Sequence, residues 1–153
     1  MIEAVPKGFI GRDFILHSDD GGLVELDVSS WRERAEFELD GVPYQLYREG
    51  MLGDFVMERA GTVIARATKT SAFFKIFKLD INGHALTLRK ISAWRRGFGI
   101  YENEQLVGSV MPVKWFSRHS IVEMPEDWNL ALQLFLFWIV LLMWRRAAKA
   151  AAS

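Results

Sequence analysis

Two hydrophobic patterns divide the chain. From Phe9 to Met124, short runs, most of five to eight residues, mix apolar and polar positions, many in strict alternation: FIGRDFIL, LVELDVS, AEFELDG, PYQLYRE, DFVMERAG, TVIARATK, FFKIFKLDI, HALTLRKI, GFGIYENE, QLVGSVM and SIVEM. Alternation puts every second side chain on one face, which is the period of a strand, and the runs are rich in Val, Ile, Phe, Tyr and Thr. Turn residues separate them: DDGG at 19–22, Asp40-Gly41, Asn82-Gly83 and Glu102-Asn103-Glu104. Asn82-Gly83 suits a two-residue hairpin because both positions tolerate positive φ. No stretch before residue 125 keeps a helical period for three turns.

The second pattern is WNLALQLFLFWIVLLMWRR, residues 128–146, in which positions 130–144 contain one polar residue, Gln133. A helix of this kind has no amphipathic stripe, so it is enclosed either by protein or by lipid. From Trp128 to Trp144 it would extend about 25 Å, short of a hydrocarbon core of ~30 Å. Pro125 suits a first helical position, Glu126 and Asp127 suit the positive end of the helix dipole, and Arg145, Arg146 and Lys149 suit its negative end. These signals predict a helix over about 126–146 and an Ala-rich tail over 147–153. A barrel of eleven or twelve strands has a lumen too wide for its own side chains, and an apolar helix ~10 Å across fills it. The expected fold is therefore mainly β: a closed antiparallel barrel of about 11–12 strands threaded by a central apolar helix, one domain over 1–153. Ala65, Ala67, Gly99 and Gly108 are candidates for the small residues that face such a helix.

The strands also repeat. Phe55-Val56-Met57 followed by Val63-Ile64-Ala65 matches Phe98-Gly99-Ile100 followed by Leu106-Val107-Gly108, at a constant offset of 43. Phe14-Ile15-Leu16 followed by Leu23-Val24-Glu25 is a looser third copy with one more loop residue. A single hairpin cannot bury its face, so repeated hairpins imply a sheet that closes on itself or two stacked sheets.

Composition narrows the chemistry. The 153 residues carry 19 Lys and Arg against 19 Asp and Glu, which disfavours wholesale nucleic-acid binding but leaves room for a local basic patch. The absence of cysteine excludes disulfides, thiolate metal sites and cysteine nucleophiles. MIEAVPKGFIGRDF lacks a basic region followed by an apolar run, so no signal peptide is expected there and a cytoplasmic location is. His17, His84 and His119 lack ligand spacing. Ser18 and Ser120 each adjoin a histidine, but neighbours on a strand face opposite ways. Asp19-Asp20-Gly21-Gly22 and the pair Glu102 and Glu104 read as solvated turns, and no Gly-rich phosphate loop occurs. The expectation is a non-enzyme with no metal, no cofactor and no catalytic residues.

Short strands, an internal duplication and a C-terminal apolar helix together make the chain resemble the tubby-like superfamily from Phe9 to Arg146. That group includes the tubby C-terminal domain, the plant LURP-one-related proteins and the phospholipid scramblases. The local likeness to the last two lies in GTVIARATK, FKIFKLDINGHALTLRK and GFGIYENEQLVGSVM. The resemblance implies a closed barrel threaded by its C-terminal helix. It also suggests phosphoinositide binding, as in tubby domains, although their basic constellation has no residue-by-residue counterpart here. The acidic calcium-binding segment of scramblases has its nearest equivalent in Asp80-Ile81-Asn82-Gly83, which lacks the cluster of carboxylates.

One pattern points to a surface. Trp31-Arg32, Trp94-Arg95-Arg96 and Trp115-Phe116-Ser117-Arg118 place indole beside guanidinium at loops or strand ends. At a bilayer interface a Trp ring sits in apolar material while Arg meets lipid phosphate. Trp94, Arg95, Arg96, Trp115 and Arg118 are therefore the expected contact residues of a peripheral module that binds anionic lipid headgroups, with Lys69, Lys75, Lys78, Lys90 and Lys114 extending the basic surface. The same Trp and Arg residues also suit a plug for the barrel mouth, with guanidinium stacked on indole. Two other functional readings stay open: a protein-interaction scaffold of the LURP-one-related type, and an integral protein anchored by 128–146. The partners expected are anionic membrane lipid or a protein, not nucleic acid; oligomeric state is left open.

Overall fold

A computed structural model describes residues 1–8, 12–29, 32–71, 75–114 and 117–153. Among them are twelve strands: β1 (Ile2–Pro6), β2 (Phe14–Ser18), β3 (Leu23–Val28), β4 (Arg34–Leu39), β5 (Val42–Arg48), β6 (Phe55–Arg59), β7 (Thr62–Lys69), β8 (Phe77–Ile81), β9 (His84–Lys90), β10 (Phe98–Glu102), β11 (Gln105–Pro112) and β12 (Ser120–Glu123). One helix follows, α1 (Leu130–Ala152). Each strand pairs antiparallel with its sequence neighbours, and β1 pairs with β12 through Ile2↔Val122 and Ala4↔Ser120. The result is a closed barrel, which leaves no open edge for another chain to extend.

The lumen is filled by α1. Leu134, Phe135, Leu136, Phe137, Trp138, Ile139 and Val140 are all fully buried, so the helix is enclosed on every side. Four buried phenylalanines, Phe14, Phe55, Phe77 and Phe98, open β2, β6, β8 and β10. Phe14 meets Phe137 edge-on at 5.4 Å, and Phe55 meets Trp138 edge-on at 5.5 Å. Burying one large apolar side chain contributes roughly 1.5–3 kcal/mol, so the barrel wall and its core each depend on the other. α1 is also long and apolar enough to cross a membrane, but 67% of its apolar window lies inside the protein. For residues 128–146 to act as an anchor, α1 would have to leave the barrel.

The barrel has two unlike ends. At the turn end, four hairpins close with two residues at positive φ: Asp40-Gly41, Ala60-Gly61, Asn82-Gly83 and Asn103-Glu104. This is the twist that antiparallel strands favour. At the loop end, odd-numbered strands run into connections of five to seven residues. α1 starts at the turn end and emerges at the loop end.

The internal duplication is visible in the pairing. The β6–β7 register shifts between Met57 and Glu58, and the β10–β11 register shifts between Ile100 and Tyr101, again 43 residues apart. The turns Ala60-Gly61 and Asn103-Glu104 keep the same offset. The β2–β3 pair runs from Phe14↔Leu26 to His17↔Leu23 without a shift.

Four local expectations are corrected. The strands begin before Phe9: β1 is not predicted by the pattern, and its five residues include Glu3, Ala4 and Pro6. α1 begins at Leu130 because the side chain of Asn129 accepts from the Ala131 N–H at 2.7 Å and caps the helix. Pro125 instead opens a turn closed by the Trp128 N–H donating to the Pro125 carbonyl at 3.0 Å, so Glu126 and Asp127 precede the first helical turn. At the other end the helix runs on through the Ala-rich tail to Ala152, as alanine's helix propensity favours. Ala65 and Ala67 belong to the core, but Gly99 does not face the helix: a Cβ there would lie 2.7 Å from Cδ1 of Leu106, which is half-exposed.

Candidate functional site

Charge is sorted along the barrel axis. The six connections at the loop end, together with residues 145–153, carry eleven Lys and Arg against four Asp and Glu. The connections at the turn end, including 124–129, carry six Asp and Glu and no Lys or Arg. A net charge of zero thus conceals a basic pole and an acidic pole.

The basic pole also carries the most exposed large apolar side chains of the described residues: Trp94 at 96%, Leu52 at 93% and Met51 at 88%. Trp94 and Arg95 sit in the β9–β10 connection, where both backbone N–H groups donate to Oγ of Ser92 at 3.3 and 3.2 Å. That short turn holds the indole out from the barrel. Arg95 is exposed beside it.

Arg96 turns inward. Its guanidinium lies 4.9 Å from the centroid of Trp144, and its carbonyl accepts from the Trp144 indole N–H at 2.7 Å. Its Nη1 donates to the Ser117 carbonyl at 3.4 Å. Arg118 lies 6.0 Å from the Phe14 ring and donates from Nη2 to the Gly8 carbonyl at 3.2 Å. Trp31 and Trp115 lie outside the described residues. The expected set therefore divides: Trp94 and Arg95 point outward, while Arg96 and Arg118 stack on aromatics at the barrel mouth. The Trp that Arg96 covers is Trp144, on α1, not a sequence neighbour.

Arg96 and Arg118 share a cavity of about 280 Å³ between α1 and strands β2 and β3. Its floor is Phe14, Val28, Leu142 and Trp144, all buried. Arg12 and Arg145 join the other two arginines around it, with Leu141 and Ala148 completing the wall. Among the described residues, no carboxylate lines it. Burial holds the Arg96 guanidinium below its ordinary pKa. Burial does the same to Arg145, aided by the charge of Arg12 and opposed by Glu33. Arg145 donates from Nη2 to the Ser29 carbonyl at 3.1 Å.

The far side of the mouth is more nearly neutralised. Glu33 accepts from Nε and Nη2 of Arg146 at 2.9 and 2.5 Å and from Nη1 of Arg48 at 3.3 Å. Lys75 is half-buried there, and burial first, then Lys90, Lys69 and Arg146, push its pKa down.

Arg12 and Arg145 are not among the contact residues expected from the sequence. They come from the β1–β2 connection and the last turns of α1, and only barrel closure brings them together. The available signal is Arg145 itself, whose place at the end of the apolar segment also suits the helix dipole. At the turn end a second cavity of about 330 Å³ lies among Met57, Ala65, Leu86, Asp127, Trp128 and Asn129, with a mixed polar rim. His84 Nδ1 lies 2.6 Å from Oε1 of Glu102 at that rim. Among the described residues, no group of three or more His, Cys, Asp or Glu could hold a metal ion.

No family model, no curated protein and no solved structure matches this chain.

Proposed function

We propose that this tubby-like barrel is a non-enzymatic peripheral module that docks by its loop end on membranes bearing anionic phospholipid, phosphoinositide included. One observation carries the reading: the basic pole and the most exposed apolar side chains, Trp94, Met51 and Leu52, occupy the same end of the barrel. A Lys or Arg near an anionic leaflet contributes about 1 kcal/mol, screened by salt, and an indole buries its ring at the headgroup level. The acidic pole is repelled by the same surface, so the barrel axis stands upright on it.

Vesicle sedimentation tests this. Pelleting is expected with phosphatidylcholine vesicles containing phosphatidylglycerol or a phosphoinositide, and not with phosphatidylcholine alone. Arg95→Ala should weaken it about fivefold and Trp94→Ala about tenfold. Equal pelleting with neutral and anionic vesicles, or no response to either variant, would end the proposal. Capture of one stoichiometric protein partner without any vesicle binding would favour the scaffold reading instead.

A further inference from the structure

The mouth cavity goes beyond surface docking. We propose that it binds one single-chain anionic amphiphile: a linear aliphatic chain of medium length with a carboxylate or phosphate head.

The floor and the rim call for different chemistry. Phe14, Val28, Leu142 and Trp144 offer buried apolar surface, which rewards methylene groups and penalises polar ones. The rim offers four guanidiniums, whose forked donors match a carboxylate or phosphate. Three of them are oriented by bonds to backbone carbonyls: Arg96 to Ser117, Arg118 to Gly8 and Arg145 to Ser29. A ligand therefore meets donors that are already placed. Glu33, the carboxylate whose charge bears on Arg145, is already engaged by Arg48 and Arg146. An anion at the rim meets several like charges at once, Arg12 and Arg145 among them.

Size selects one chain. At about 280 Å³ the cavity is just below the usual size of ligand pockets, ~300–1,000 Å³. A two-chain phospholipid does not fit; a short alkyl chain does. The cavity at the opposite end is of similar volume but has Asp127, Asn82, Asn129 and His84 at its rim and no arginine, so it has no reason to select an anion.

Isothermal titration of the full chain, below the critical micelle concentration, tests this with hexanoate, octanoate and decanoate. Affinity should rise about fourfold per methylene and level off once the cavity is full. Decyl phosphate should bind like decanoate if charge is all the rim reads, and more tightly if the rim reads a phosphate. Decanol should bind at least about tenfold more weakly than decanoate. Ala148→Trp, at an exposed position beside the cavity, should weaken decanoate about tenfold while leaving the circular-dichroism melt in place. Arg118→Gln should weaken decanoate and leave decanol unchanged. Equal binding of decanol and decanoate would overturn the proposal, as would decanoate binding that ignores both variants or never saturates. Vesicle binding is read separately. Decanoate binding without vesicle binding removes only the membrane reading, and vesicle binding without decanoate binding removes only this one.

Discussion

The two ends of the barrel face the same water but are built by different rules. The turn end joins four of its five strand pairs with only two residues, and it collects acidic groups. The loop end uses connections up to seven residues long and fills them with Lys, Arg and large apolar side chains. Between them sits a core that belongs to neither. The difference teaches that connection length separates two jobs in this fold. Short turns fix strand register. Long connections leave side chains free to present a surface.

The comparison can be broken most severely through the shared core. Phe137 is fully buried against Phe14, and Phe137→Ala should cost about 3–5 kcal/mol. Urea unfolding followed by circular dichroism should show one cooperative transition moved to lower denaturant. A second transition would mean that the ends melt independently. The turn end is probed by Gly83→Ala, where φ is 79°. A Cβ in that conformation should lower stability by about 1–2 kcal/mol, with vesicle binding of the folded protein unchanged. Glu104→Gly, at the matching position of another two-residue turn with φ 64°, should shift the melting midpoint slightly upward. The smallest effect separates the poles by charge alone. Lys114→Ala should weaken anionic-vesicle binding about fivefold, whereas Asp40→Asn should leave it within about twofold. Equal responses to these two changes in a sedimentation series would mean that the sorting of charge has no bearing on docking.

Much of the architecture was legible because both sides of each strand report on their surroundings. From Val24 to Val28 apolar and polar residues alternate, and burial alternates along the whole strand, with Leu23 exposed. The apolar helix was legible as enclosed, since it has no polar face to give to solvent. β1 was not, because IEAVP is five residues long and weakly patterned, and its partner β12 lies more than a hundred residues away. The helix starts later than its sequence suggests because Pro125, Glu126 and Asp127 carry the composition of a first turn, while Asn129 supplies the actual cap. Among the proposed contact residues, Trp94 and Arg95 could be read from their own neighbourhood. Arg96 and Arg118 could not be assigned a direction, since what they stack on, Trp144 and Phe14, is set by tertiary packing. For the same reason the four-arginine cavity has no local sequence signature.

The pairing of Ile2 with Val122 bears on how the protein is made. β1 can pair with β2 as soon as both are made, but its other neighbour, β12, is synthesised more than a hundred residues later. The α1 segment that fills the interior comes later still. Contacts so distant along the chain impose a late and slow closure. Until then the nascent sheet keeps two bare edges and an unfilled apolar face, the state most prone to aggregate.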